Sequence, residues 1–213
     1  MRHLFVSLLL LTLIALIPIQ TFAETGMLDL IPHDALGAIA LKSVNETGKH
    51  SDEFSNDTNI RPVVQPSMGM KMALGWIGVT GGLDKDAPLA LILPDARKLK
   101  QKSYTARDPK LFIDNLILVL PFSKLNQLAR CFNASPKKLK AGETVKGKGV
   151  VFGKYFKVYN KHLVISNSQA RVEEYVATKS VATKMNSAQI KHANGGDILL
   201  HIGTRSWGNE WNE

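Results

Sequence analysis

After residue 23 the apolar residues gather in runs too short for a buried helix, and this limits the fold more than any other feature. The longest runs are residues 89–93 and 116–120. A buried helix needs about ten or more residues, so runs of this length bounded by prolines such as Pro88 and Pro94 read as strands. Between them the period changes. Leu125, Leu128, Ala129 and Phe132 follow the i, i+3, i+4, i+7 rule of an amphipathic helix, with Ser123 as its expected cap. Val172, Tyr175 and Val176 share a second helical face after Ser168.

The rest of the chain fills in around these pieces. Residues 36–44 read as a first strand leaving the turn 31–34. Residues 45–59, rich in Asn, Asp, Ser and Thr without apolar periodicity, read as a loop. Met68, Met72, Trp76 and Val79 fall at helical spacing, although Gly69, Gly75 and Gly78 each weaken a helix by about 1 kcal/mol. Residues 97–110 read as a basic surface loop in which Asp108-Pro109 caps one helical turn, and residues 133–140 as a polar exit. Residues 143–166 read as antiparallel strands turning at Asn160-Lys161. A polar linker, 179–196, leads to a last strand, 198–202. The order of elements predicts an α+β fold: a mixed or antiparallel sheet carrying two to three helices, its inner part resembling a ferredoxin-like split βαβ.

The first 23 residues stand apart. Arg2 and His3 precede an apolar run from Leu4 to Ile17, Pro18 breaks it, and Thr21 and Ala23 fit the −3 and −1 positions of a cleavage site. The run is shorter than the roughly 20 residues a spanning helix needs, and it reads as a secretory signal cut before Glu24. The expected organisation is therefore a signal over 1–23 and an α+β domain over 24–195. Residues 196–213 are either the last strand or the start of an incomplete second module. The second alternative arises because Gly196-Asp197-Ile198-Leu199-Leu200-His201 repeats the lead-in Asp34-Ala35-Leu36-Gly37-Ala38-Ile39. The expected location is the periplasm or the medium.

Several pieces together resemble a loose group of uncharacterised secreted bacterial proteins familiar from planctomycetes. The pieces are the entry Pro32-His33-Asp34-Ala35-Leu36-Gly37-Ala38-Ile39, the block Gly82-Leu83-Asp84 with Pro88-Leu89-Ala90-Leu91, the strand and helix over 116–132, and the hairpin from Tyr155 to Ser168. The resemblance spans most of residues 30–180. It implies export and repeated α+β modules, and it carries no activity or catalytic residues.

Chemistry is sparse in the sequence. The chain carries 27 basic and 18 acidic residues, a net charge of +9 that loss of Arg2 with the signal lowers by one. Such a surplus favours attraction to polyanions without specifying a partner; export puts an anionic envelope polymer or a lipid surface within reach, and no nucleic acid is expected. Two basic clusters would carry it: Arg97, Lys98, Lys100, Lys102, Arg107 and Lys110 around Tyr104, and Lys137, Lys138 and Lys140, followed by Lys146 and Lys148. The competing reading is two solvated loops. Cys131 is the only cysteine and reads as a structural thiol, with no internal disulfide to stabilise the exported chain. His33, His50, His162, His192 and His201 lack metal-ligand spacing, so no metal is expected. Ser166 and Ser168 lack the glycines of a nucleophile elbow, and Asp84 and Asp86 read as a solvated turn. No nucleotide-binding motif and no cofactor site is present in the sequence. The leading expectation is a non-enzymatic exported structural or interaction module. The alternatives are a basic binding module and, third, an exported hydrolase built from His33, His162, His192, His201 and Asp34.

Overall fold

The computed structural model describes residues 26–59, 62–94, 113–149 and 153–203, and its strands assemble into one seven-stranded sheet. The strands are β1 (Gly37–Leu41), β2 (Leu89–Leu93), β3 (Ile117–Pro121), β4 (Val145–Lys146), β5 (Tyr155–Tyr159), β6 (His162–Ser166) and β7 (Ile198–Ile202). Their order across the sheet is β4-β5-β6-β3-β2-β1-β7, and each pairing is antiparallel. The α+β class is as the sequence predicts. The ferredoxin-like order is not found: the helical connection from β6 to β7 leaps β3, β2 and β1, whereas a split βαβ leaps one strand.

Both faces of the sheet are covered. On one, Ala38, Ala40, Ala90, Ile92, Ile117, Val119 and Val164 pack under a 3-10 turn (Met27–Leu30), helix α5 (Gln169–Ala177) and the turn Val181–Lys184. On the other, Leu89, Leu118, Leu120, Phe156, Leu163 and Ile165 pack under α3 (Leu125–Cys131), α4 (Pro136–Lys140) and the Val79–Leu83 segment. Helices α1 (Val44–Asp57) and α2 (Pro66–Trp76) pack on each other, and α6 (Ser187–Asn194) precedes β7.

The helices show where a hydrophobic pattern misleads. Residues 45–59, expected as a loop, are mostly α1. Ser43 caps it, its Oγ accepting from Glu46 N–H at 3.0 Å, and Lys42–Glu46 and Lys49–Glu53 lie at i, i+4. Its buried stripe is only Val44, Thr47 and Gly48. Gly48 lets α2 approach closely: a Cβ there would lie 3.1 Å from that of Ser67, a few tenths of an ångström tighter than ordinary contact. Asp52 on α1 is held below the usual carboxyl range by hydrogen bonds from the Ser67 side chain and then from Ser67 N–H, which it accepts at 3.0 Å.

Helix α2 forms where its methionine spacing predicts, with the opposite side inward. Met70, Leu74 and Ile77 face the core, while Met68, Met72 and Trp76 are 57, 41 and 69 % exposed. The polar stretches 133–140 and 179–196 contain α4 and α6 respectively. Ser123 is not the cap of α3: Lys124 holds that place, and Ser123 Oγ is directed at the carbonyls of Gly82 and Leu83. Gly82 sits at φ 79°, and a Cβ there would lie 2.4 Å from Leu128 N. The β5–β6 hairpin turns at Asn160 and Lys161, both at positive φ, as a two-residue turn requires.

Candidate functional site

Of the predicted anion-binding residues, Arg97, Lys98, Lys100, Lys102, Arg107 and Lys110 lie outside the described residues. Lys137, Lys138 and Lys140 lie on α4, all exposed, while Leu139 between them is fully buried and anchors the helix. The β4 rim of the sheet carries further exposed cations. Lys146 stands on β4 opposite Tyr155, and Gly147 N–H bonds to Lys154 O, so Lys146, Lys148 and Lys154 are exposed along this edge. Behind them Phe132 and Phe156 stack with ring centres 5.3 Å apart. Deeper in, Lys157 meets Glu173 at 2.6 Å, and Thr144 also donates to that carboxylate. These bonds hold Glu173 below the ordinary carboxylate range, the Lys157 contribution being the largest. The rim is a row of solvated lysines on a short edge strand, an arrangement that also discourages edge-to-edge sheet pairing.

The opposite edge is built differently. In β7, Ile198, Leu200 and Ile202 are 58, 66 and 61 % exposed, and their neighbour Ile39 on β1 is 49 % exposed. Register pairs Ile39 with Leu200, Leu41 with Ile198 and Gly37 with Ile202. Helical cover decreases along the central cross-strand row, from buried Leu118 through half-buried Leu91 to open Ile39 and Leu200. The strand carries no proline and no lysine. At its lower end, His50 Nδ1 on α1 lies 2.6 Å from Asp197 Oδ2, and Thr47 Oγ1 donates to Asp197 O at 3.3 Å. An open groove beside them, about 390 Å³, is lined by Ser51, Phe54, Ser55 and Ile198 among others. No local pattern signals this His–Asp pair, because its members are 147 residues apart.

The four histidines expected of a hydrolase are placed as follows. His162 is buried, with Nδ1 2.7 Å from Asn160 O and Nε2 3.0 Å from Pro88 O. Both nitrogens lie against backbone carbonyls, and the neutral ring donates its single N–H to one of them, at the junction of the β5–β6 turn and the entry to β2. Burial pushes its pKa down, outweighing the two carbonyls and the charge of Asp84. It borders a cleft of about 400 Å³ with Asp29, Tyr159, Tyr175 and Lys179. There Tyr175 Oη donates to Leu30 O at 3.0 Å, and burial pushes its pKa up. His33 Nδ1 lies 3.1 Å from Lys179 O, His192 is on the last turn of α6, and His201 is on β7 with its pKa lowered by burial.

Ser166 is fully buried, its Oγ accepting from Ser168 N–H. Ser168 takes the N-cap position of α5 without a side-chain bond. Asp84 and Asp86 form the expected turn, Asp86 N–H donating to Asp84 Oδ1, and Asn45 ties Asp86 to α1 at 2.7 Å. Cys131 is half-buried with Thr80 Oγ1 at 3.3 Å. Burial raises its pKa, but the hydrogen bonds from Thr80, Gly81 and its own backbone outweigh this and leave it lowered. Among the described residues no three His, Cys, Asp or Glu side chains group as metal ligands, and no helix is long and apolar enough to cross a membrane. Compared with known proteins, the chain matches no family model, no curated protein and no solved structure.

Proposed function

We propose that this chain is an exported, non-enzymatic interaction module of the cell envelope, working through the open edge and adjoining face of β7. The observation that carries the reading is the asymmetry of the sheet: one edge is short and set with lysines, the other is five residues long, uncharged at neutral pH and apolar. Contiguous exposed apolar surface on a soluble domain marks an interaction site. Export is supported by the sequence of residues 1–23, whose apolar run, Pro18 and the Thr21 and Ala23 positions have the form of a cleavable signal. The resemblance to secreted planctomycete-type proteins points the same way. Fractionation with intact-mass measurement tests it: envelope or medium protein beginning at Glu24 is expected, and cytosolic protein retaining residues 1–23 sinks the reading.

A second reading has its own observation, the rim of Lys137, Lys138, Lys140, Lys146, Lys148 and Lys154. It would bind an anionic envelope polymer or lipid surface, with affinity falling steeply as salt rises. Co-sedimentation with anionic vesicles at low and high salt decides it. Absence of binding at both rejects the rim as a binding surface.

A further inference from the structure

Resting on the interaction-module reading, we propose that β7 pairs with β7 of a second copy of this chain, antiparallel about a two-fold axis through Leu200, joining two sheets into one. Backbone geometry points to this register. Lys42 N–H donates to Asp197 O at 2.9 Å and Gly203 N–H to Leu36 O at 2.8 Å across the β1–β7 pair. Hydrogen-bonded pairs alternate along an antiparallel ladder. The groups of residues 197, 199, 201 and 203 therefore face β1, and those of Ile198, Leu200 and Ile202 face outward. Among the described residues nothing pairs with that outer edge.

A copy placed about Leu200 sets Leu200 opposite itself and Ile198 opposite Ile202. All three outward residues of each strand then fall on hydrogen-bonded positions, each N–H donating to a carbonyl of the other copy. A two-fold contact of this kind is self-complementary by construction.

The side chains agree with the backbone. The apolar row Leu118–Leu91–Ile39–Leu200 continues into Leu200, Ile39 and Leu91 of the second copy. No like charges oppose each other, since β7 contains no Asp, Glu, Lys or Arg. Head-to-tail pairing with the other sheet edge is disfavoured, because β4 is two residues long and carries Lys146. The exposed parts of Ile39, Ile198, Leu200 and Ile202, on the order of 100 Å² each, offer roughly 400 Å² per copy, about half of a standard interface. The contact therefore belongs to the weak, concentration-dependent class.

Sedimentation equilibrium of protein purified from the full chain tests this. The wild type is expected to move from one chain to two as concentration rises. Leu200→Lys, which places like charges face to face at an exposed site, is expected to weaken association at least tenfold with an unchanged thermal midpoint. In a Cys131→Ser background, Leu200→Cys is expected to form a disulfide-linked dimer. Ile198→Cys alone is not, while a mixture of Ile198→Cys and Ile202→Cys chains is. A wild type that stays single at every concentration, with no Leu200→Cys disulfide, overturns the self-pairing. So does a single chain whose amides at 198, 200 and 202 are protected until residues 204–213 are deleted, which would give the edge to that segment. If the single chain nonetheless runs in a larger envelope complex that Leu200→Lys dissolves, self-pairing fails and the interaction-module reading stands. If Leu200→Lys changes neither measurement, both fail.

Discussion

Replacing Tyr175 by Phe isolates one bond on which the N-terminal packing depends. Tyr175 Oη donates to Leu30 O at 3.0 Å, both residues are buried, and the ring meets Tyr159 edge-on with centres 6.1 Å apart. Phenylalanine keeps the ring, so the ring contact and nearly all of the buried area survive. What is lost is the bond itself, and the Leu30 carbonyl is left buried without that donor. Leaving a buried acceptor unmade costs about 1–3 kcal/mol, offset in part because the hydroxyl no longer has to be desolvated. The net expectation is a destabilisation of about 1.5 kcal/mol, or roughly 3–6 °C in Tm for a domain of this size. Thermal and urea unfolding of both proteins measure it, with an unchanged urea m-value showing that the unfolded state is not altered. The local part is separable. Amide exchange should accelerate in Met27–Leu30 more than in β3. A Tyr175→Phe protein as stable as wild type, with exchange unchanged in the 3-10 turn, would refute the view that this bond holds the turn to α5.

Other consequences follow from the same structure. His162 and His201 have folded-state pKa values lowered by burial, so the unfolded chain takes up protons first. Stability is therefore complete above the unfolded value near 6.5 and is lost as pH falls from there toward the folded values. Urea midpoints between pH 7.5 and 5 should decline in wild type and decline less in His162→Gln; identical slopes would contradict this. Leu139→Ala removes the one fully buried side chain of α4 and should cost about 2–4 kcal/mol in urea unfolding, whereas Lys138→Ala should cost less than about 0.5. Gly82→Ala combines a φ of 79° with a Cβ 2.4 Å from Leu128 N, and it should destabilise by at least about 2 kcal/mol or prevent soluble expression. Equal stability to wild type would show that this turn is less constrained than it looks.

How much could be read beforehand follows from the physics of each segment. Strands β3 and β6 were legible because they are buried on both faces and β2 because it is nearly so, and a run such as Leu89–Leu93 then needs little alternation. The β5–β6 turn was legible because Asn160-Lys161 sits between strands with opposed patterns. Helix α1 was not, because caps and i, i+4 pairs define it and its apolar stripe is a valine beside a threonine and a glycine. The facing of α2 was lost because methionine occupies both sides, Met70 inside and Met68 and Met72 outside. The lysines of α4 were visible as a cluster, but the closeness of Lys146 to Lys154 depends on pairing between β4 and β5. The exposed face of β7 was hidden for a related reason. Ile198-Leu199-Leu200-His201-Ile202 reads only as a last strand, and its place at the end of the sheet is what leaves alternate residues open. The His50–Asp197 pair had no local signal at all, since the sheet alone brings its members together.

The most direct measurement of the central claim is the size of the native assembly extracted from the envelope fraction. It would compare wild type, Leu200→Lys, and a chain with Lys137, Lys138 and Lys140 all changed to Glu. If β7 is the working surface, Leu200→Lys should run at the size of one chain while the triple charge reversal runs with wild type. Loss of the assembly in the triple reversal, with Leu200→Lys unaffected, would contradict the account and transfer the function to the lysine rim.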